Sequence, residues 1–123
     1  PSELTGLAGQ VTINFPWGSL LEGLLNHDES LLYSLAAVMQ PNARLEIRLN
    51  GGALANCGWS LEDGAKQVRD VLRENGFDLR QPILMTARDL QSCPTTWAKR
   101  LAFGRDPRAI YLSGMWKVGG SYP

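Results

Sequence analysis

Val11-Thr12-Ile13-Asn14-Phe15-Pro16-Trp17-Gly18 is the stretch on which the fold turns. Apolar Val11, Ile13 and Phe15 alternate with Thr12 and Asn14, the period of a strand covered on one face. Proline fixes φ near about −65° and has no N–H to give a sheet, so a strand over Gln10–Phe15 must stop at Pro16, while the same φ suits the first turn of a helix. Leucines at helical spacing follow at once: Leu20, Leu21, Leu24 and Leu25. A strand that runs straight into a helix presents Trp17 at its carboxyl end. In open α/β sheets that edge is where ligands bind.

Outward from this corner, Leu31, Leu32, Leu35, Ala36 and Met39 continue the helical spacing beyond Asn26-His27-Asp28, as two short helices or one broken helix. Pro41-Asn42 ends that segment. Ala43–Asn50 then alternates Leu45, Ile47 and Leu49 with Arg44, Glu46 and Arg48, a strand with one polar face. An inner strand of a doubly wound sheet is apolar on both faces, so Glu46 and Arg48 are expected to be only partly covered. Asn50-Gly51-Gly52 breaks the strand, and the following loop to Trp59 can approach a ligand closely because glycine permits it. Ser60-Leu61-Glu62-Asp63 reads as a capping box before a helix through Leu61, Ala65, Val68 and Leu72, which Gly76 stops. Beyond Pro82 a third strand is expected at Ile83–Ala87, with an extension toward Leu90. Ser92-Cys93-Pro94-Thr95 is a breaker, Thr95 or Thr96 caps a short helix through Phe103, and Ala109–Trp116 is the last strand. The glycine-rich end is expected to fray. The order β-α-β-α-β-linker-β defines an α/β fold.

With 123 residues, 44% of them hydrophobic and 20% charged, the composition is that of a single globular domain rather than of a disordered chain. No run reaches the roughly 18 apolar residues of a membrane span, and Pro-Ser-Glu-Leu-Thr-Gly has neither region of a signal peptide, which favours the cytoplasm. Cys57 and Cys93 lie on separate segments without metal-ligand spacing and read as reduced thiols. The formal charge is zero, but it is unevenly spread. From Arg88 to Lys117 six basic residues face only Asp89 and Asp106, a net of +4 balanced by −4 in the rest of the chain. A local basic region of this kind serves as a phosphate footprint or as a plain solvated face.

Asn-x-Pro-aromatic at a strand-to-helix corner resembles the motif that adenine-modifying, S-adenosylmethionine-dependent methyltransferases carry at the end of their fourth strand. The longer run Phe15-Pro16-Trp17-Gly18-Ser19-Leu20-Leu21 resembles the kanamycin–apramycin resistance methyltransferases, which methylate N1 of an adenine in the decoding site of small-subunit ribosomal RNA. A second, separate match lies at Thr95-Thr96-Trp97-Ala98-Lys99-Arg100-Leu101, with Arg105 five residues beyond Arg100. The resemblance implies that residues 1–123 form one partial domain, the carboxyl-terminal half of a Rossmann-like class I methyltransferase fold, comprising its strands four to seven with the last antiparallel. It also implies S-adenosylmethionine as cofactor. The family holds it through a Gly-rich turn after the first strand and an acidic residue after the second. No Gly-x-Gly-x-x-Gly follows a strand here, so the missing amino-terminal half is an expected partner and this chain alone is expected to be inactive.

By the same resemblance, Trp17 and Trp97 grip the two faces of the target adenine, Arg100 and Arg105 contact ribosomal RNA, and Thr95 and Pro16 lie near the cofactor. Each has a plainer alternative: a core tryptophan, a surface arginine, a helix cap, a strand terminator. Adenine N1 carries its own in-plane lone pair, so methyl transfer asks for alignment more than for a strong base, and stacking aligns a flipped base. Trp59 and Trp116 match no functional position and read as packing. His27, the sole histidine, lacks partners at metal or catalytic spacing, and no carboxylate pair suggests hydrolase chemistry. A competing reading is a non-catalytic module derived from the same fold that binds RNA or self-associates. Val11, Ile13 and Phe15 leave the edge of strand Gln10–Phe15 uncharged, which predicts self-association through that strand.

Overall fold

The computed structural model describes residues 8–86, 88–89 and 108–117. β1 spans Ala8–Asn14, α1 Gly18–Leu25, α2 Glu29–Val38, β2 Met39–Asn50, α3 Gly51–Asn56, α4 Leu61–Arg73, β3 Phe77–Leu79, β4 Ile83–Met85 and β5 Ala109–Trp116. The strands form one sheet in the order β1-β2-β5-β3, with β4 also on β5. β1 and β2 run parallel, whereas β5 is antiparallel to β2, β3 and β4. This is the expected α/β arrangement with an antiparallel last strand.

Several boundaries differ from the sequence reading, each for a local reason. β1 stops at Asn14 rather than Phe15, because Phe15 takes a left-handed φ of 52°. That conformation costs a non-glycine residue about 1–3 kcal/mol, and burial of the ring offsets it: Phe15 is 4% exposed. β2 begins earlier than Ala43 and passes through Pro41, which an irregularity accommodates. While β1 advances from Ala8 to Gln10, β2 advances from Met39 to Arg44. The break at Asn26-His27-Asp28 gives two helices, with His27 at φ 59° and Asp28 accepting from the amides of Ser30 and Leu31.

The segment after Asn50, expected as a loop, is the helix α3 as far as Asn56 despite its two leading glycines. The Asn50 side chain caps it by accepting from the Ala53 amide at 3.1 Å. Ser60 caps α4 through the Asp63 amide at 3.1 Å, as the capping-box spacing predicts. The third strand is shorter than Ile83–Ala87 and is preceded by a piece that sequence reasoning missed, Phe77–Leu79. β3 pairs with the far part of β5 and β4 with its near part. Together they make one edge strand interrupted beside Pro82, whose missing N–H an edge tolerates. Gly114 is required here, since a Cβ would lie 2.1 Å from the Asp78 carbonyl oxygen.

Register assigns the side chains to two faces. Val11, Ile13, Leu45, Ile47, Leu49, Ile110 and Leu112 share one, and they join Leu21, Leu24, Leu32, Leu61, Ala65, Val68 and Leu72 from the helices in a continuous core. Trp59 and Trp116 pack against that core, as expected, the latter with its ring centroid 4.8 Å from that of Phe77. Gln10, Thr12, Asn14, Arg44, Glu46, Arg48, Tyr111 and Ser113 share the opposite face. Glu46 and Arg48 are half-buried, as the alternation in β2 implies.

Candidate functional site at the carboxyl edge of the sheet

The corner after β1 turns its two large rings in opposite directions. The left-handed backbone at Phe15 sends that ring into the core, and the Phe15 amide still donates to the Arg48 carbonyl at 2.8 Å, so the turn stays tied to β2. Pro16 is buried behind it. Trp17, with extended backbone at the N-cap of α1, is 66% exposed, and Leu20 beside it is 38% exposed. An indole held on a buried, proline-stiffened turn is a pre-organised flat surface.

Beneath this corner, Arg48 donates to the Asn14 side-chain oxygen at 2.9 Å and its guanidinium lies 5.1 Å from the centre of the Tyr111 ring. The Tyr111 hydroxyl donates to Glu46, which also accepts from Gln10 at 3.0 Å and pairs with Arg44 at 3.2 Å. The Arg48 Nε is buried without an acceptor among the described residues. This polar layer fixes the side chain of Asn14 within the corner motif.

The same edge carries the stem of the segment between β4 and β5. Met85 and Ala109 are cross-strand partners, and Ala109 also pairs with Asn50 at the carboxyl end of β2. The two ends of that segment therefore lie beside the carboxyl end of β2, at the sheet edge that also carries Trp17. At the departure, the Thr86 amide donates to Asp89 at 2.9 Å and the Asp89 amide to the Thr86 hydroxyl at 3.1 Å. These bonds hold the Asp89 carboxyl below its ordinary pKa. At the return, Arg108 donates to Glu62 at 2.8 Å while its carbonyl accepts from Gly51 at 2.9 Å. Thr95, Trp97, Arg100 and Arg105, and the short helix expected to end at Phe103, lie outside the described residues.

Among the described residues no group of three or more His, Cys, Asp and Glu side chains could hold a metal, and no helix is long and apolar enough to cross a membrane. His27 is engaged structurally, 3.1 Å from the Asn75 amide nitrogen and 3.6 Å from Glu74. Burial, with Glu22 nearby, pushes the Cys57 thiol up, away from reactivity. Two open concavities, of about 470 and 510 Å³, are lined respectively by residues such as Arg44, Arg80 and Ser113 and by Tyr33, Ala36 and Trp116. Neither includes Trp17. Sequence reasoning missed Asn50, Glu62 and Arg108 as the joint at the return. Only the Thr86-x-x-Asp89 spacing was readable in advance as a capping pair.

A parallel β1–β2 pair, an antiparallel β5 inserted between β2 and the broken edge strand, and an exposed tryptophan at the carboxyl edge define the carboxyl-terminal part of a class I methyltransferase fold. Solved structures agree. A mutant 16S rRNA (adenine(1408)-N(1))-methyltransferase from Catenulisporales acidiphilia, crystallised with its cosubstrate SAM, matches 100% of this chain and 59% of its own, with TM-score 0.77 and 26% identity. The 16S rRNA methyltransferase KamB matches 89% of this chain and 55% of its own, with TM-score 0.73 and 25% identity. The family model for NpmA, a 16S rRNA (adenine(1408)-N(1))-methyltransferase, matches residues 1–116, and the chain belongs to that family. Curated members from Escherichia coli and Streptoalloteichus hindustanus are 28% and 32% identical over 93% and 84% of this chain. The chain spans 57% and 51% of their lengths.

Proposed function

We propose that this chain is the base-gripping part of an S-adenosylmethionine-dependent methyltransferase that modifies N1 of the decoding-site adenine in small-subunit ribosomal RNA, conferring aminoglycoside resistance in the cytoplasm. The observation that carries the proposal is one of placement. The exposed Trp17 indole and the stem of the segment bearing Trp97, Arg100 and Arg105 share one sheet edge. The adenine is held between Trp17 and Trp97, each stacking face contributing roughly 1–3 kcal/mol. Arg100 and Arg105 offer paired donors to RNA phosphates. S-adenosylmethionine, when bound, supplies the methyl group. By the family resemblance, Pro16 and Thr95 furnish one wall of the cofactor site and the amino-terminal half of the family's domain furnishes the rest.

Calorimetry on the 123-residue chain and on the same chain joined to that half tests the division. The joined protein binds S-adenosylmethionine and methylates small subunits, whereas micromolar cofactor binding by the chain alone, near ~−8 kcal/mol, contradicts it. In the joined protein, Trp17→Ala and Trp97→Ala depress methylation with cofactor affinity nearly unchanged. Arg100→Glu and Arg105→Glu weaken subunit binding and flatten its salt dependence. Parent-rate methylation in either tryptophan variant returns that residue to a packing role.

Among the described residues β1 pairs only with β2, which supports self-association through its outer edge when the chain is alone. Sedimentation is expected to show a dimer that Ile13→Lys disrupts. A folded monomer at high concentration removes this part of the proposal.

A further inference from the structure

The exposed Trp17 stands between two left-handed residues, Phe15 at a φ of 52° and Gly18 at 60°. Glycine adopts that conformation freely, but phenylalanine keeps it only where the surroundings over-determine it. Burial of the Phe15 ring is one constraint. Arg48, the partner of Asn14 across the parallel pair of β1 and β2, supplies two more. Its carbonyl accepts from the Phe15 amide at 2.8 Å, and its guanidinium donates to the Asn14 side-chain oxygen at 2.9 Å. The two residues before Pro16 are thus tied, one through backbone and one through side chain, to a single position of β2.

The guanidinium is itself held. It lies 5.1 Å from the centre of the Tyr111 ring, and the Tyr111 hydroxyl donates to Glu46, which Gln10 and Arg44 also engage. Stability does not account for this arginine. Its Nε is buried without an acceptor among the described residues, and a polar group left unpaired away from water is unfavourable, whereas an apolar side chain of similar length carries no such penalty. What the arginine adds is direction, because a planar fork stacked on a ring keeps its donors aimed. We propose that Arg48, stacked on Tyr111, is a positioning residue that sets the orientation of the Trp17 indole at the carboxyl edge by holding Asn14 and Phe15. The inference rests on the reading above only for what Trp17 grips. The corner itself stands on its own contacts.

The test uses the whole chain labelled with 5-fluorotryptophan, the Trp17 resonance in fluorine NMR being assigned by its absence from Trp17→Phe. Arg48→Met is expected to shift or broaden that resonance. The resonances of Trp59 and Trp116, which pack against the core, and the thermal midpoint stay in place as controls on folding. Asn14→Ala moves the Trp17 resonance in the same direction, and the double variant moves it no further than Arg48→Met, since both act through one hydrogen bond. In the protein joined to the family's amino-terminal half, Arg48→Met lowers kcat for methylation of small subunits about tenfold with KM for S-adenosylmethionine unchanged. An unmoved Trp17 resonance in Arg48→Met, additive displacement in the double variant, or parent-rate methylation by Arg48→Met where Trp17→Ala is slow, overturns the proposal. Parent-rate methylation by Trp17→Ala overturns the function reading instead and leaves the corner to be judged by the Trp17 resonance.

Discussion

The two faces of the central sheet are built from the same strands and are organised by different physics. On one, Leu45, Ile47, Leu49 and Leu112 are fully enclosed by helices, and stabilisation comes from area removed from water at about 25 cal/mol per Å². On the other, alternate residues of the same strands form a chain of hydrogen bonds centred on Glu46, which takes donors from Gln10, Arg44 and Tyr111. The first face tolerates no change of volume. The second tolerates loss of volume better than loss of a partner, because a polar group left unpaired where it is shielded from water costs about 1–3 kcal/mol. The lesson is that strand period alone assigns residues to faces, while the chemistry of each face decides which substitutions matter.

The largest effect is expected where the apolar side has no room. Gly114→Ala drives a methyl against backbone, and Ile47→Ala opens a cavity in the middle of β2, so each should lower unfolding free energy by about 2–5 kcal/mol in denaturant titrations. A cost below about 1 kcal/mol for both would mean that the core relaxes far more readily than close packing allows.

On the polar side, Glu46→Ala should cost about 1–3 kcal/mol, because the half-buried Tyr111 hydroxyl loses its acceptor. Equality with Ile47→Ala would erase the contrast between the faces. Tyr111→Phe should cost less, about 0.5–1.5 kcal/mol, since the ring beneath Arg48 remains and only one hydrogen bond is lost. A double-mutant cycle of Glu46→Ala with Tyr111→Phe measures their coupling, and strict additivity would show that the hydrogen bond between them carries no energy.

The smallest effect lies off both faces, at the Thr86–Asp89 turn that follows β4. Asp89 has its pKa held below the usual carboxylate value by the Thr86 amide and hydroxyl. A depressed folded pKa means that the contribution is complete above the unfolded value, about 3.9, and is lost as pH falls through the lower folded value. Amide protection at Thr86 and Asp89 should therefore decline below about pH 4, and Asp89→Asn should remove that dependence. A loss of protection on raising the pH would have the wrong sign for this arrangement.

Much of the fold was legible because its signals are local. Alternation in Ala43–Asn50 and Ala109–Trp116, the leucine spacing after Gly18, the Ser60 cap and the stop at Pro16 each depend on residues a few positions apart. The family was legible for the same reason, in the two short runs around Trp17 and Trp97. Less legible were features that need distant partners. Phe77–Leu79 is three residues long and becomes a strand only because β5 pairs with it. The segment after Asn50 becomes a helix because one buried side chain caps it and holds Arg108 from 58 positions away.

At the candidate site the sequence by itself determined that a tryptophan stands at a strand-to-helix corner, that a second tryptophan and two arginines lie together late in the chain, and that β2 has one polar face. Only the tertiary structure decided that Phe15 turns inward while Trp17 faces out, and that both ends of the late segment meet at Trp17's edge of the sheet. It alone joined Arg48 to Asn14, Tyr111 to Glu46 and Arg108 to Glu62. The physical reason is the range of the interactions. Proline geometry, helix spacing and strand alternation act within a few residues, so they are written along the chain, whereas sheet register and side-chain pairing form between residues that only the closed core brings together.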